Sequence, residues 1–453
     1  MNVYDGTRMA EVLAPLGYKA IDTPELADLV LLNTCHIREK ASEKVYSELG
    51  RLQLIRKTRK SDKPMIIGVA GCVAQAEGSE MMRRAPFVDL LFGPQTYHRL
   101  PEMITRVLRQ KSSDDITGGN IVVTDFPAIP KFDFLPDVSS QGTSALLTIQ
   151  EGCDRFCSFC VVPYTRGAEY SRPVQEVLIE AKNLVSAGAR ELTLLGQNVN
   201  AYHGLSQKGG NVTLAGLIYE LAKIEELWRI RYTTSHPRDM KLDLILAHGE
   251  IPKLMPYLHL PIQSGSNKML SAMNRKHTVE EYFKIIEAVR ASRPDISISS
   301  DFIVGHPGET ASDFEATLNL VQTVNYAQAY SFKYSARPGT PASALENAVP
   351  EKKKTERLAI LQSLLNEQKI KFNKAFEGSS IPVLFDRWGR SGSQLTGRSP
   401  WMQSVHVDYG SEAEAANAFG SIMNVEVVTA FQNSLSAIPN KYTEPVKEEG
   451  VLV

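Results

Sequence analysis

The chain has 453 residues, of which 43% are hydrophobic and 22% charged, and its formal net charge is −1. That length exceeds a single hydrophobic core and suggests about three domains, while the composition is that of a globular chain and excludes disordered and fibrous classes. No window approaches the ~18 unbroken apolar residues of a membrane helix, the start lacks the basic-then-apolar order of a secretory signal, and near-neutral charge gives no general pointer to nucleic acid. The five cysteines are odd in number and unevenly spread, which argues for reduced thiols serving as ligands or catalysts in a cytoplasmic protein with no membrane association.

In chain order, residues 11–16 read as helix, 27–32 as a buried strand, 40–56 as an amphipathic helix and 65–70 as a second strand ahead of Gly71-Cys72. This is the βαβ rhythm of a small parallel α/β domain, residues 1–110. Residues 111–142, polar and rich in Gly and Pro, read as a linker. From 143 to 375 the rhythm resumes, with strand candidates at 145–150, 191–196, 229–234, 257–262, 296–304 and 330–334. Such an order predicts a partial (β/α)6 barrel with its site at the C-terminal strand ends. Loops with chemistry-bearing residues fall there: EGC, GQN, SHP, QSGS, GHPGE and SARPGTPA. After a charged helix at 351–376, alternation at 381–386, 404–408 and 424–429 predicts a small C-terminal β-barrel over 376–438. Residues 439–453 read as a disordered tail, and no internal repeat is present.

Cys153, Cys157 and Cys160 form CxxxCxxC after the first strand of the second domain. Three thiolates so spaced can hold three irons of a 4Fe-4S cube and leave the fourth open. Gly152 supplies the turn, and Phe156 and Phe159 would shield the cluster from water. A zinc knuckle needs a fourth ligand that is not nearby, and three unrelated core thiols are the remaining alternative. An open iron resembles that of the radical-SAM enzymes, where the amino and carboxylate groups of S-adenosylmethionine (SAM) chelate it. Gly305-His306-Pro307-Gly308-Glu309 follows the fifth strand and offers small residues for close approach of adenine and methionine; a plain Gly-Pro turn would look the same. Ser235, His236, Gln263 and Ser264 are polar positions at strand ends that could contact SAM or merely cap helices. Upstream, Cys35 and Cys72 each end a strand at the carboxyl edge of a parallel sheet, where helix N-termini favour thiolates; small core residues at strand ends are the competing reading.

The segments NTCHIREKASEKVYSELGRL, GVAGCVAQAEG, EGCDRFCSFCVVPYTRGAEYSRP, LLGQNVNAY, TTSHP, HLPIQSGSNKML, MNRKHT, DFIVGHPGET and YSARPGTPA together resemble the methylthiotransferases, specifically those of the MiaB type that act on tRNA. The resemblance covers nearly the whole chain. It implies an N-terminal domain with an auxiliary 4Fe-4S cluster held by Cys35 and Cys72, a radical-SAM barrel with its cluster on Cys153, Cys157 and Cys160, and a C-terminal tRNA-binding TRAM domain. SAM contacts are expected at Phe159, Ser235, Gln263, Gly305, Gly308 and Glu309. RNA contacts are expected at Arg387, Trp388, Arg390, Arg398 and Trp401, since guanidinium groups on phosphates and indoles on bases suit folded RNA. The implied reaction uses two SAM molecules to place a methylthio group on C2 of an isopentenylated adenine beside the tRNA anticodon, with an electron donor such as flavodoxin or ferredoxin. The sequence departs from the family at its start, where members carry a strand and Gly-Cys-Gln ahead of the equivalent of Met1-Asn2-Val3-Tyr4. The auxiliary cluster is then expected to have two cysteines in place of three, His36 being turned away from Cys35 in an extended chain. Either translation starts upstream of Met1 or the chain binds tRNA and cleaves SAM without transferring sulfur; a sister enzyme acting on a ribosomal protein is the third reading.

Overall fold

The computed structural model describes residues 1–35, 40–61, 63–112, 120–138 and 141–440, so that the expected tail from 441 onward lies outside the described residues. Two compact units emerge: Met1–Ser139 with Glu151–Asp154 and Val161–Tyr170, and Ser140–Gln150 with Arg155–Cys160 and Ser171–Val453.

In the first unit, strands β1 (Leu29–Thr34), β2 (Ile66–Gly71), β3 (Leu90–Phe92) and β4 (Ile121–Val123) form a parallel sheet in that order. Helices α1 (Asn2–Leu13), α2 (Lys40–Thr58), α3 (Cys72–Arg84) and α4 (Leu100–Ser112) complete it. Two apolar clusters cover the two faces: Met9, Val12, Ile66, Leu90 and Leu100 in one, Leu49, Leu52, Ile67, Val69 and Leu91 in the other. Alternate residues of β2 enter opposite clusters, as strand geometry requires. Three features differ from the sequence expectation. Helix α1 begins at Asn2 and its helical face buries Asp5 and Arg8, charges that mask the apolar period. The β1 strand is half-buried along most of its length, because it lies at a sheet edge. Within the stretch read as a linker, Ile121 and Val123 point inward and Val122 outward to make β4.

The second unit opens with six parallel strands, β5 (Ser144–Thr148), β6 (Glu191–Leu195), β7 (Arg229–Thr233), β8 (Tyr257–His259), β9 (Ser297–Val304) and β10 (Gln328–Lys333). They form two three-stranded sheets, and a parallel bridge from Ile230 to Leu254 joins β7 to the residues leading into β8. The result is a partial barrel, as the alternation predicts. Helices between strands start where the sequence carries capping boxes: Thr278 with Glu281 opens α5 (Val279–Ser292), and Thr310 with Asp313 opens α6 (Ala311–Val324). Each side chain satisfies an otherwise orphaned backbone N–H of the first turn.

A long helix, α7 (Glu351–Lys374), leads to a closed barrel of β11 (Ser380–Trp388), β12 (Gln394–Arg398), β13 (Ser404–Asp408), β14 (Ile422–Ala430) and β15 (Leu435–Pro439). Closure leaves no free strand edge. Its interior is filled by Ile381, Val383, Phe385, Leu395, Val405, Val407, Val425 and Leu435. The barrel is fastened to the larger one by two arginines of β7. Arg229 Nη1 donates to Arg398 O at 2.8 Å, and Arg231 donates to Pro400 O and Ser399 O, both at 2.8 Å, while pairing with Glu191 at 2.9 Å. Trp401 Nε1 adds a bond to Asp295 O at 2.9 Å.

Candidate active site and cluster loops

In the first unit, Thr34 pairs with Gly71 across β1 and β2, so Cys35 and Cys72 follow adjacent positions at the carboxyl edge of the sheet. Gly71 has φ +92°, and a Cβ there would lie 2.3 Å from Thr34 O; only glycine allows the two chain ends so close. Cys72 is the first residue of α3. Residues 36–39, His36 among them, lie outside the described residues.

Behind this edge is a buried ionic cluster. Arg166 donates to Asp5 at 2.7 Å and to Glu151 at 3.0 Å, and Lys131 donates to Glu151 at 2.6 Å, with all four side chains nearly inaccessible. Burial opposes the Arg166 charge, but Asp5, Cys72 and Glu151 hold it firmly protonated. Glu151 therefore pins the start of the cysteine loop. Gly152 follows at φ +69°, with a Cβ excluded by Ala168 O at 1.9 Å, and Cys153 N donates to Gly167 O at 3.2 Å.

In the second unit, residues 155–160 of the same loop are docked on the chain just after the helix Asn267–Ala272. Ser158 donates from its backbone N to Met273 O at 3.0 Å and from its hydroxyl to Ala272 O at 2.8 Å, and Asn274 Nδ2 donates to Phe156 O at 2.8 Å. Cys160 N closes a turn onto Cys157 O at 2.9 Å. Cys157 is buried, with Arg275 Nη1 at 3.5 Å from its sulfur, whereas the Phe156 ring is exposed and Phe159 is half-buried. Among the described residues no three His, Cys, Asp or Glu side chains are gathered in metal-holding geometry. The donor set itself, three soft thiols on one short loop, suits an iron-sulfur cube.

The strand ends carry a second set of groups. Gln150 Oε1 accepts from the backbone N–H of Gln197 and Asn198, both at 3.0 Å, and Asn198 Nδ2 donates to Asp239 at 2.7 Å, whose other oxygen pairs with Arg155. Asn200 and His236 exchange two bonds of 2.9 Å each. His236 and His277 meet edge to face with ring centroids 5.5 Å apart. Burial, reinforced by Arg275, pushes His236 far below the usual histidine range and His277 down to about 4, so both rings are neutral. Nδ1 of His236 accepts from Arg238 N at 3.2 Å, which leaves the ring proton on Nε2; Nδ1 of His277 faces Arg275 O at 3.0 Å and must donate, which leaves Nε2 a bare acceptor. Both Nε2 atoms, together with Gln150 Nε2, Asn198 Oδ1 and Ser235 Oγ, are buried without a hydrogen-bond partner among the described residues. Buried polar groups seldom lack partners. Their matched donors and acceptors fit a polar ligand at this end of the barrel, as SAM would be.

The other expected SAM residues have mixed roles. Ser264 lies 3.4 Å from Thr317 Oγ1, and Gln263 bonds into β9 through its backbone at φ +81°. Gly305 and Gly308 have φ of +75° and +82°. Glu309 does not present a free carboxylate: it accepts from Gly305 N at 3.0 Å and pairs with Arg357, although burial raises it above the ordinary glutamate range. It shapes the loop. His306, fully buried, packs against Tyr334 and its Nε2 has no hydrogen-bond partner among the described residues. Sequence reasoning passed over Gln150, Asn198, Asp239, Arg275 and His277; the signal available was the place of Asn198 in GQN and of Arg275 and His277 in MNRKHT, with Gln150 just before EGC and Asp239 just after SHP.

On the small barrel, Trp388 is 48% exposed and stacks on Phe419 at 5.4 Å with the rings 10° from parallel, beside the exposed Arg387 and Arg390. Arg398 is half-buried and donates to Met402 O at 3.3 Å. Trp401 packs on Phe376 and donates to Asp295 O, at the junction of the two barrels.

The radical SAM superfamily model matches residues 147–321, and the model of uncharacterized protein family UPF0004 matches residues 1–93. Among solved structures, the radical S-adenosylmethionine methyltransferase TsrM from Kitasatospora setae superposes with a TM-score of 0.54 at 14% identity, covering 75% of this chain and 74% of that one. The likeness is one of fold. The tRNA-2-methylthio-N(6)-dimethylallyladenosine synthase of Wolbachia pipientis subsp. Culex pipiens (strain wPip) is 57% identical over 439 residues, 96% of each chain. Its counterpart in Maricaulis maris (strain MCS10) is 56% identical over 441 residues, 96% of this chain and 94% of that one. With the partial parallel barrel, the cysteine loop and these relatives in hand, the chain belongs to the tRNA-2-methylthio-N(6)-dimethylallyladenosine synthase family of the radical SAM superfamily.

Proposed function

We infer that the chain is a transferase that places a methylthio group on C2 of the isopentenylated adenine beside the anticodon of tRNA. The observation that carries this reading is identity of 57% spread over 96% of the chain with synthases of that product. Cys153, Cys157 and Cys160 are the residues that would hold the SAM-cleaving 4Fe-4S cluster, and Cys35 and Cys72, side by side at the sheet edge, the auxiliary one. Bound there, the clusters and SAM supply one-electron chemistry and a methylated sulfur, which an inert aromatic C–H bond requires. The chain's own work is positioning. The Ser158 and Asn274 bonds fix the loop, the His236 and His277 nitrogens offer one donor and one acceptor to a bound ligand, and the Trp388–Phe419 stack with Arg387 and Arg390 offers a platform for RNA. A low-potential one-electron carrier of the flavodoxin or ferredoxin kind would reduce the enzyme, in the cytoplasm.

The test is anaerobic incubation of iron- and sulfide-reconstituted protein with SAM, dithionite and tRNA bearing isopentenyladenosine, followed by nucleoside mass spectrometry. The methylthio product is expected with that tRNA and not with tRNA carrying unmodified adenosine. Equal product on unmodified tRNA, or product on a ribosomal protein alone, contradicts the reading.

A further inference from the structure

We propose that Arg275 is a positioning residue for the SAM-cleaving cluster, its guanidinium serving as the counter-ion of the Cys157 sulfur and thereby easing one-electron reduction at that site. The proposal rests on the reading of Cys157 as a cluster ligand.

Arg275 is 5% exposed. Its Nη1 donates to Cys157 Sγ at 3.5 Å, its Nη2 donates to Pro261 O, and its Nε has no partner among the described residues. Among the described residues no carboxylate lies within ion-pair distance of it, and its neighbours His236 and His277 are neutral, held so in part by Arg275 itself. A buried guanidinium without an anion is strongly disfavoured. Among the described residues the structure sets against it the sulfur of Cys157, which carries negative charge when it ligates a cluster. Lys276 and His277 follow in a segment whose carbonyls and side chains also hold the loop, through Met273 O and Asn274 Nδ2. Arg275 is thus built into the same clamp that fixes Cys157, and is not a surface cation swinging past it.

The chemical consequence follows from charge. Reduction adds one electron, supplied by a one-electron reductant, and makes or breaks no bond to Arg275; the added negative charge is shared with the ligating sulfurs. A fixed positive group and an N–H aimed at one sulfur stabilise the reduced state more than the oxidised one, and so raise the potential. A neutral side chain of similar size removes that preference.

The experiment is an EPR-monitored potentiometric titration of the full chain in a Cys35→Ala/Cys72→Ala background, which leaves one cluster to observe, comparing the parent with Arg275→Gln and Arg275→Lys. The expected result is unchanged iron content with a lower midpoint for Arg275→Gln and an intermediate value for Arg275→Lys. A loaded Arg275→Gln protein with the parent's midpoint overturns the proposal. Should Arg275→Gln fail to load, thermal melts of cluster-free Arg275→Gln, Cys157→Ser and the double variant decide: non-additive shifts support the pairing, additive shifts overturn it. Cys157→Ala separates this from the underlying reading. If that variant keeps its full iron and EPR signal, Cys157 is no ligand and both fall; if it loses them while Arg275→Gln titrates like the parent, only the role of Arg275 falls.

Discussion

Replacing Arg231 by methionine should loosen the small barrel from the large one. Arg231 is 3% exposed and makes three bonds at once, to Glu191 at 2.9 Å and to the carbonyls of Ser399 and Pro400 at 2.8 Å. Methionine fills much of the space but abandons a buried carboxylate, a situation that costs about 3–5 kcal/mol. A surface ion pair would contribute only about 0–1 kcal/mol, so burial decides the magnitude. Adding Glu191→Leu removes the stranded charge, and the double variant should recover roughly half the loss, with the two carbonyls still lacking their donor. Urea unfolding gives the total, and hydrogen exchange at the backbone amides of β13 and β14 reports whether the small barrel frees first. A cost for Arg231→Met within about 0.5 kcal/mol of zero, or no recovery in the double variant, contradicts the junction described above.

Cys157→Ala should abolish SAM cleavage; persistent formation of 5′-deoxyadenosine refutes the ligand assignment. Trp388→Ala, which removes an exposed ring stacked on Phe419, should weaken tRNA binding by about 1–3 kcal/mol while changing stability by less than about 0.5 kcal/mol; unaltered affinity in a filter-binding assay places the RNA elsewhere. Burial, with Arg293 adding to it, lowers His248 from 6.5 to about 3, its Nε2 lying 2.6 Å from the Tyr232 hydroxyl. Between those pH values the unfolded chain binds a proton that the native state refuses, so this histidine is neutral to folding above pH 6.5 and opposes it increasingly as pH falls toward about 3, by up to ~1.4 kcal/mol per unit. Stability measured from pH 6.5 to 5 should therefore fall more steeply for the parent than for His248→Asn; parallel curves contradict this.

What the sequence made legible follows from the range of each interaction. The six barrel strands were readable because short runs rich in apolar and aromatic residues recur between helical stretches, and their terminal loops because Gly, Pro and polar residues interrupt them. The start of α1 was hidden because Asp5 and Arg8 interrupt its apolar face and are buried against partners far along the chain: Asp5 meets Arg166, and Arg8 donates to Pro136 O. The β4 strand is only three residues long and flanked by loop-like composition, so pairing with β3 and not local propensity creates it. Cys153, Cys157 and Cys160 stood out as candidate ligands by their spacing, whereas Cys35 and Cys72 drew that reading from the resemblance. Arg275 was not, since its sulfur partner lies 118 positions away and nothing in MNRKHT distinguishes a buried guanidinium from a solvated one. Trp401 likewise meets Asp295, a residue 106 positions away that its neighbours in sequence do not reveal.

The most direct measurement is nucleoside mass spectrometry of tRNA from cells that lack their own synthase and express these 453 residues. Appearance of 2-methylthio-isopentenyladenosine, lost again with Cys157→Ala, is the predicted result; isopentenyladenosine alone, with the protein folded and its iron in place, would contradict methylthio transfer by this chain.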